Sequence, residues 1–110
     1  MVEWHRVAAT DDVSEDDAKQ IVIEGHPIGL YKVGGEFFAV DDICTHAFAV
    51  LSEGYLEEHS IECPLHQGCF DVRTGKALNA PVTVDLKSYP VKVEGDAVLI
   101  EFESPAKPDA

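Results

Sequence analysis

The chain has 110 residues, which is room for one domain with one hydrophobic core and too little for a two-domain enzyme. Hydrophobic residues make up 45% and charged residues 26% of the chain, a composition typical of a folded protein and not of a disordered one. Eight Lys and Arg against 21 Asp and Glu give a net charge of −13, so the surface repels phosphates. We therefore expect no nucleic-acid partner.

The first half of the chain contains three short β-branched or aromatic runs, at residues 20–24, 27–33 and 36–40. They are separated by Gly25-His26 and by Gly34-Gly35, and glycine supplies the positive φ that tight hairpins require. This pattern predicts an antiparallel meander. In the stretch 11–17, Ser14 is a candidate N-cap for a short helix, but no apolar 3.6-residue periodicity follows it, so a turn fits equally well.

A second hairpin is predicted near the end of the chain. Residues 89–94 and 97–102 form two further strand-like runs, and Gly95-Asp96 lies between them. No long helix is predicted anywhere, so the expected fold class is all-β.

Residues 41–81 differ from the strand-like regions on either side. They contain three cysteines, three histidines, three glycines and two prolines, in an irregular order. Irregular sequence that is rich in metal-ligand residues and lies between strands is typical of a site mounted on a scaffold. We expect one domain over residues 1–110, with a ligand-binding subdomain at about 41–81.

Targeting and redox signals are sparse. No apolar run of about 18 residues occurs, and the first ten residues include Glu3, Trp4, His5 and Arg6 in place of an apolar signal core. Three cysteines are too few for a disulfide-stapled secreted domain, and in a reducing compartment they more often bind metal. The sequence predicts a cytoplasmic protein that does not interact with membranes.

The distinctive motif is Cys44-Thr45-His46 followed, after sixteen residues, by Cys63-Pro64-Leu65-His66. Each half offers one thiolate and one imidazole. In an extended segment residues i and i+2 point to the same side, so Cys44 and His46 can face one centre, and Cys63 and His66 can do so across a turn. The motif predicts a Cys₂His₂ site with these four ligands.

Two kinds of metal centre fit such a site. Zinc fingers place both cysteines in one half and both histidines in the other, which is not the order found here. In a Rieske [2Fe–2S] centre two thiolates bind one iron and two histidines bind the other. A motif in which each half supplies one ligand of each type favours the iron–sulfur centre over zinc.

The chain resembles the small Rieske-type ferredoxins of bacterial aromatic-ring-hydroxylating dioxygenases, in particular the naphthalene-dioxygenase type. The resemblance covers nearly the whole chain and is strongest over residues 41–94. Besides the ligand motif, it is carried by the segments Gly54-Tyr55-Leu56-Glu57, Ile61-Glu62, Gln67-Gly68, Phe70-Asp71-Val72-Arg73-Thr74-Gly75-Lys76-Ala77, Ala80-Pro81-Val82 and Tyr89-Pro90-Val91-Lys92-Val93.

The resemblance implies a Rieske fold, an antiparallel β-sandwich-like framework with a small inserted cluster-binding subdomain. It implies one [2Fe–2S] cluster and a one-electron carrier that is not itself an enzyme. The implied partners are an NAD(P)H-dependent flavin reductase, which supplies the electron, and a terminal ring-hydroxylating oxygenase, which accepts it. We expect a monomer. In such systems the oxygenase, and not the ferredoxin, selects the aromatic substrate.

The ligand set also bears on the reduction potential. A [2Fe–2S] core with four thiolates has a net charge of −2 when oxidised, whereas two thiolates and two neutral imidazoles leave it neutral, so adding an electron is less opposed. In the respiratory-chain relatives the loops carry a disulfide at positions matching Ala49 and Leu65, and hydroxyl donors to the cluster at positions matching Gly68 and Phe70. Their absence here predicts a potential near the low end of the Rieske range.

The remaining cysteine and histidines are assigned no role in the cluster. Cys69 follows His66 by three residues and is expected to bind no iron, with an oxidation-sensitive thiol as the alternative. His5, His26 and His59 lack partners at ligand spacing and are expected at the surface.

Four acidic residues flank the two halves of the motif. Asp41, Asp42, Glu57 and Glu58 are expected to form an acidic face, which is either simply solvated or attracts basic partners.

Two other functions fit the sequence. One is an accessory or sensory Rieske ferredoxin outside aromatic degradation. The other is a structural zinc-binding module, which would be colourless, whereas an iron–sulfur protein absorbs visible light.

Overall fold

We describe a computed structural model of the chain, over residues 2–43, 49–64, 68–78 and 84–103. Within these ranges the chain forms ten strands and one short 3₁₀ helix, Leu51–Glu53. The strands are β1 (Val2–Ala9), β2 (Asp17–Ile23), β3 (His26–Val33), β4 (Glu36–Asp41), β5 (Tyr55–Glu57), β6 (Ser60–Glu62), β7 (Cys69–Asp71), β8 (Ser88–Tyr89), β9 (Val91–Glu94) and β10 (Ala97–Glu103). No helix in these ranges is long and apolar enough to cross a membrane.

The strands form three antiparallel sheets. One has the order β1-β10-β9, the second β2-β3-β4-β8 and the third β5-β6-β7. The first two sheets form the framework, and the third lies within residues 41–81. The predicted all-β class is confirmed.

The predicted meander hairpins form, with the first turn one residue earlier than predicted. Glu24 and Gly25 both have positive φ, 50° and 80°, and connect β2 to β3, which begins at His26. Gly34 and Gly35, with φ of 61° and 78°, connect β3 to β4 in the same way. Positive φ at both central residues is the geometry that matches the right-handed twist of the flanking strands, so these turns set the register of the meander.

The structure contains strands that were not predicted. β1 pairs along its length with β10, although its register shifts between Arg6 and Ala8, which breaks the alternation that would have revealed it. The three-residue strands β5, β6 and β7 also escaped prediction because they are too short to show a period.

Two hydrophobic clusters fill the interior. The framework core lies between the first two sheets and consists of Ala8, Val13, Ile21, Ile23, Ile28, Leu30, Ala39, Tyr89, Val98, Ile100 and Phe102. The second, here called the loop core, lies against the third sheet and consists of Tyr31, Val40, Ala49, Leu51, Ile61, Cys63, Phe70, Val72 and Leu86. Tyr31 on β3 and Val40 on β4 belong to the loop core, so the four-stranded sheet supports both clusters.

Candidate metal centre

Of the four predicted ligands, only Cys63 belongs to the described part of the chain. Cys44, His46 and His66 lie outside it, so their positions remain predictions. Within residues 2–43, 49–64, 68–78 and 84–103 no three His, Cys, Asp or Glu side chains form a group able to hold a metal ion.

Cys63 occupies a position suited to a thiolate ligand. It follows β6 directly, is completely buried in the loop core, and forms no disulfide with the described cysteines. Its backbone N–H donates to the carbonyl of Gly68 at 2.7 Å, which joins the described residues on either side of the second half of the motif. A fully buried thiol at this position fits a metal-binding role, because a thiolate bound to metal needs no contact with water.

Cys69 faces the other side of the third sheet. In the antiparallel register it pairs with Glu62, whereas its neighbour Phe70 pairs with Ile61. Paired residues share a face, and Phe70 and Ile61 are fully buried while Cys69 and Glu62 are half-buried. Cys63, two residues after Ile61, lies with the buried set. This arrangement separates Cys69 from Cys63.

The two stems, the described residues just before and just after 44–48, are joined to each other. Ile43 and Val50 form an antiparallel bridge, and the N–H of Leu51 donates to the carbonyl of Asp42 at 2.8 Å. The two stems therefore lie side by side. Cys44 is one residue beyond the bridge.

Asp42 is not part of an acidic face, and this expectation was wrong. Its side chain is completely buried. Oδ1 accepts a hydrogen bond from the backbone N–H of Ser52 at 2.7 Å, and Oδ2 accepts bonds from Ser52 Oγ at 2.7 Å and Gln20 Nε2 at 2.9 Å. Burial raises the pKa of the Asp42 carboxyl above its usual value, and the bonds from Ser52 and Gln20 oppose this shift.

The neighbouring Asp41 points to the other side of the strand and forms a polar cluster at the surface. Its Oδ1 lies 2.7 Å from His26 Nε2 and accepts a bond from the Tyr89 hydroxyl. The side chain of His26 is 46% exposed, as expected of a surface histidine, but it has partners that its spacing in the sequence did not reveal.

Tyr31 lies beside Asp42 in the loop core. Its side chain is completely buried and its hydroxyl has no hydrogen-bond partner among the described residues. Burial, with a smaller contribution from the charge of Asp42, raises the pKa of Tyr31 far above its usual value of about 10.

Replacing Tyr31 with phenylalanine should stabilise the protein by about 1 kcal/mol at neutral pH, because it removes a buried hydroxyl that lacks a partner. In the wild type the unfolded chain releases the phenolic proton above about pH 10 while the folded chain keeps it, so stability falls as pH rises. Tyr31→Phe should reduce that slope by about 1.4 kcal/mol per pH unit. Urea unfolding between pH 7 and 12 measures both effects, and an unchanged alkaline slope would contradict this account of Tyr31.

Comparison with known proteins connects these features to one family. The sequence model of the Rieske [2Fe-2S] domain matches residues 3–90. The naphthalene 1,2-dioxygenase ferredoxin component of Pseudomonas putida is 52% identical over 101 residues, which cover 92% of this chain and 97% of that protein. The anthranilate 1,2-dioxygenase ferredoxin subunit of Burkholderia cepacia is 43% identical, covering 84% and 86% of the two chains.

Solved structures give the same result. The ferredoxin of carbazole 1,9a-dioxygenase from Nocardioides aromaticivorans is similar with a TM-score of 0.86 at 32% identity, over 88% of this chain and 95% of that one. A chain in a complex of reduced oxygenase and oxidised ferredoxin of carbazole 1,9a-dioxygenase is similar with a TM-score of 0.87 at 37% identity, over 94% and 97%.

Proposed function

The chain belongs to the Rieske [2Fe–2S] domain family, and on that premise we propose that it carries electrons from an NAD(P)H-dependent flavin reductase to a terminal ring-hydroxylating oxygenase. The single observation that carries this proposal is the 52% identity, over 92% of the chain, to a dioxygenase ferredoxin component.

The cofactor is a Rieske-type [2Fe–2S] cluster. When bound, such a cluster supplies a one-electron couple. We propose that Cys44, His46, Cys63 and His66 hold it, and that residues 41–81 form the cluster-binding subdomain. The burial of Cys63 supports this ligand set, because the loop core excludes water from the thiolate.

The protein is an electron carrier and not the catalytic enzyme, as its relatives are ferredoxin components of dioxygenase systems. With all four protein ligands engaged, no open coordination position is left for a substrate. We propose that the carrier is a cytoplasmic monomer that docks transiently on its reductase and its oxygenase in turn.

Reconstitution tests this function. The purified protein, a candidate flavin reductase, a candidate oxygenase and NADH are combined with an aromatic substrate, and dihydroxylated product is measured. Product should form only when all components are present, at a rate that rises with the concentration of this protein. Reduction by a reductase without electron transfer to any ring-hydroxylating oxygenase would favour the accessory or sensory function.

The structure supports an expectation for the reduction potential. Gly68 has no side chain and Phe70 has no hydroxyl, so neither position offers a hydroxyl to the iron–sulfur centre. Phe70 is completely buried in the loop core together with Cys63. The midpoint potential should therefore lie below zero, at about −150 mV.

Phe70→Tyr should raise this potential by about 40 mV, since a hydrogen bond that favours the reduced state by about 1 kcal/mol has that effect on a one-electron couple. Voltammetry measures the shift. Phe102→Tyr is the matched control, because it adds a hydroxyl to the framework core and should leave the potential unchanged. A wild-type midpoint well above +100 mV would refute the argument.

A further inference from the structure

We propose that Asp42 is a positioning residue which, with Gln20 and Ser52, forms a clasp that slows loss of the cluster by fixing the two stems of the first cluster-binding loop. The proposal rests on the proposed ligand set, because it concerns the segment that contains Cys44 and His46.

The clasp joins three parts of the chain that are distant in sequence. Gln20 lies on β2, Asp42 follows β4, and Ser52 lies in the 3₁₀ helix beyond the loop. One carboxyl group accepts bonds from both of the others, so it fixes the departing stem of residues 44–48 to the returning stem and both stems to the framework.

Burying the Asp42 carboxyl group costs folding stability. Asp42 is completely buried, and its side-chain partners in the described chain are an amide, a hydroxyl and a backbone N–H, all of them neutral. A buried carboxyl group without a cationic partner costs stability relative to an apolar side chain of similar size. The carboxyl group nevertheless has a defined orientation, because its two oxygens accept hydrogen bonds from fixed directions.

The four-stranded sheet leaves space for the Asp42 carboxyl group at Gly29 on β3. A Cβ added at Gly29 would lie 2.9 Å from both Asp42 Oδ1 and Tyr31 Cε1, and 3.0 Å from the Tyr31 hydroxyl. Gly29 pairs directly with Gln20 across β2 and β3, and its φ is not positive, so backbone conformation does not require glycine here. The missing side chain is the space in which Asp42 sits.

The backbone of Asp42 adds two further bonds. Its N–H donates to the carbonyl of Pro27 at 3.2 Å, and its carbonyl accepts from Leu51 at 2.8 Å. Main-chain bonds alone therefore already join the stems. The side chain adds the link to β2 and orients Ser52, which makes its contribution separable by mutation.

Three variants test the clasp in the holoprotein. Asp42→Asn alters the carboxyl group itself, Ser52→Ala removes one donor, and Gly29→Ala pushes against Oδ1 and the Tyr31 ring without changing any polar group. Each should still assemble the cluster, but iron should pass to a chelator about fivefold to tenfold faster, the fold-change that corresponds to the net contribution of one hydrogen bond. The electron paramagnetic resonance spectrum of the reduced protein should broaden in each.

Asp41→Asn is the matched control, because it removes a carboxylate next in sequence that faces the surface cluster of His26 and Tyr89. Its rate of iron loss should stay within twofold of the wild type, with an unchanged spectrum. Equal effects of Asp41→Asn and Asp42→Asn would overturn the proposal, since charge alone would then explain them. So would wild-type rates and spectra in Ser52→Ala and Gly29→Ala, even if Asp42→Asn failed to fold.

Failure of the clasp and failure of the ligand set give different results. If Cys44→Ser retains the cluster, the ligand set is wrong whatever the clasp variants show. If Cys44→Ser loses the cluster while the three clasp variants match the wild type, the ligand set stands and only the clasp is wrong.

Discussion

Replacing Cys63 with serine should abolish the iron–sulfur spectrum and leave a colourless protein with little bound iron. Serine keeps the size of the side chain but loses the thiolate, and Cys63 lies in a completely buried position where no water can substitute as a ligand. Visible absorption and iron content of the purified variant measure this effect.

Cys69→Ser provides the matched control. Cys69 lies on the opposite face of the third sheet from Ile61 and Phe70, so its replacement should leave the spectrum and the iron content of the protein intact. If Cys69→Ser lost iron as completely as Cys63→Ser, the assignment of the cysteine ligands would be wrong.

Gly75→Ala should destabilise the protein by about 3 kcal/mol or more. Gly75 has a φ of +83°, and an added Cβ would lie 2.1 Å from the carbonyl oxygen of Leu86. The contact cannot relax easily, because the N–H of Leu86 donates to the carbonyl of Gly75 at 2.7 Å and Leu86 is buried in the loop core. Urea unfolding of the holoprotein measures the loss.

Gly95→Ala separates steric overlap from backbone strain. Gly95 also has a positive φ, +62°, but nothing lies within 4 Å of an added Cβ. Its replacement should cost only the strain of the left-handed conformation, about 1 kcal/mol. Equal losses in the two variants would show that Leu86 does not restrict position 75.

The parts of the fold that could be predicted are those in which local sequence decides the structure. Gly25 and the pair Gly34-Gly35 mark hairpins because their turns need positive φ, and the β-branched and aromatic runs on either side of them are long enough to indicate strands. β1 could not be found in this way, since its register shift and its charged residues conceal a strand that exists because β10 pairs with it.

The candidate site likewise has some features that the sequence predicts and others that only the fold produces. The Cys-x-His and Cys-x-x-His pattern indicates its chemistry because ligand identity and spacing are local properties. The contrast between Asp41 and Asp42 is not local, since two identical neighbours differ only in what the sheet places around them. Gln20 and Ser52 lie 22 and 10 residues from Asp42, and only the fold brings them together.

In the proposed ligand set two histidines and two cysteines bind the cluster of this electron carrier. Pulsed electron paramagnetic resonance of the reduced protein, with its histidines labelled with ¹⁵N, detects the histidine ligands directly. We expect strong couplings to two histidine nitrogens, and the loss of one of them together with the native spectrum in His46→Cys or His66→Cys. A reduced cluster without any histidine coupling would contradict this ligand set.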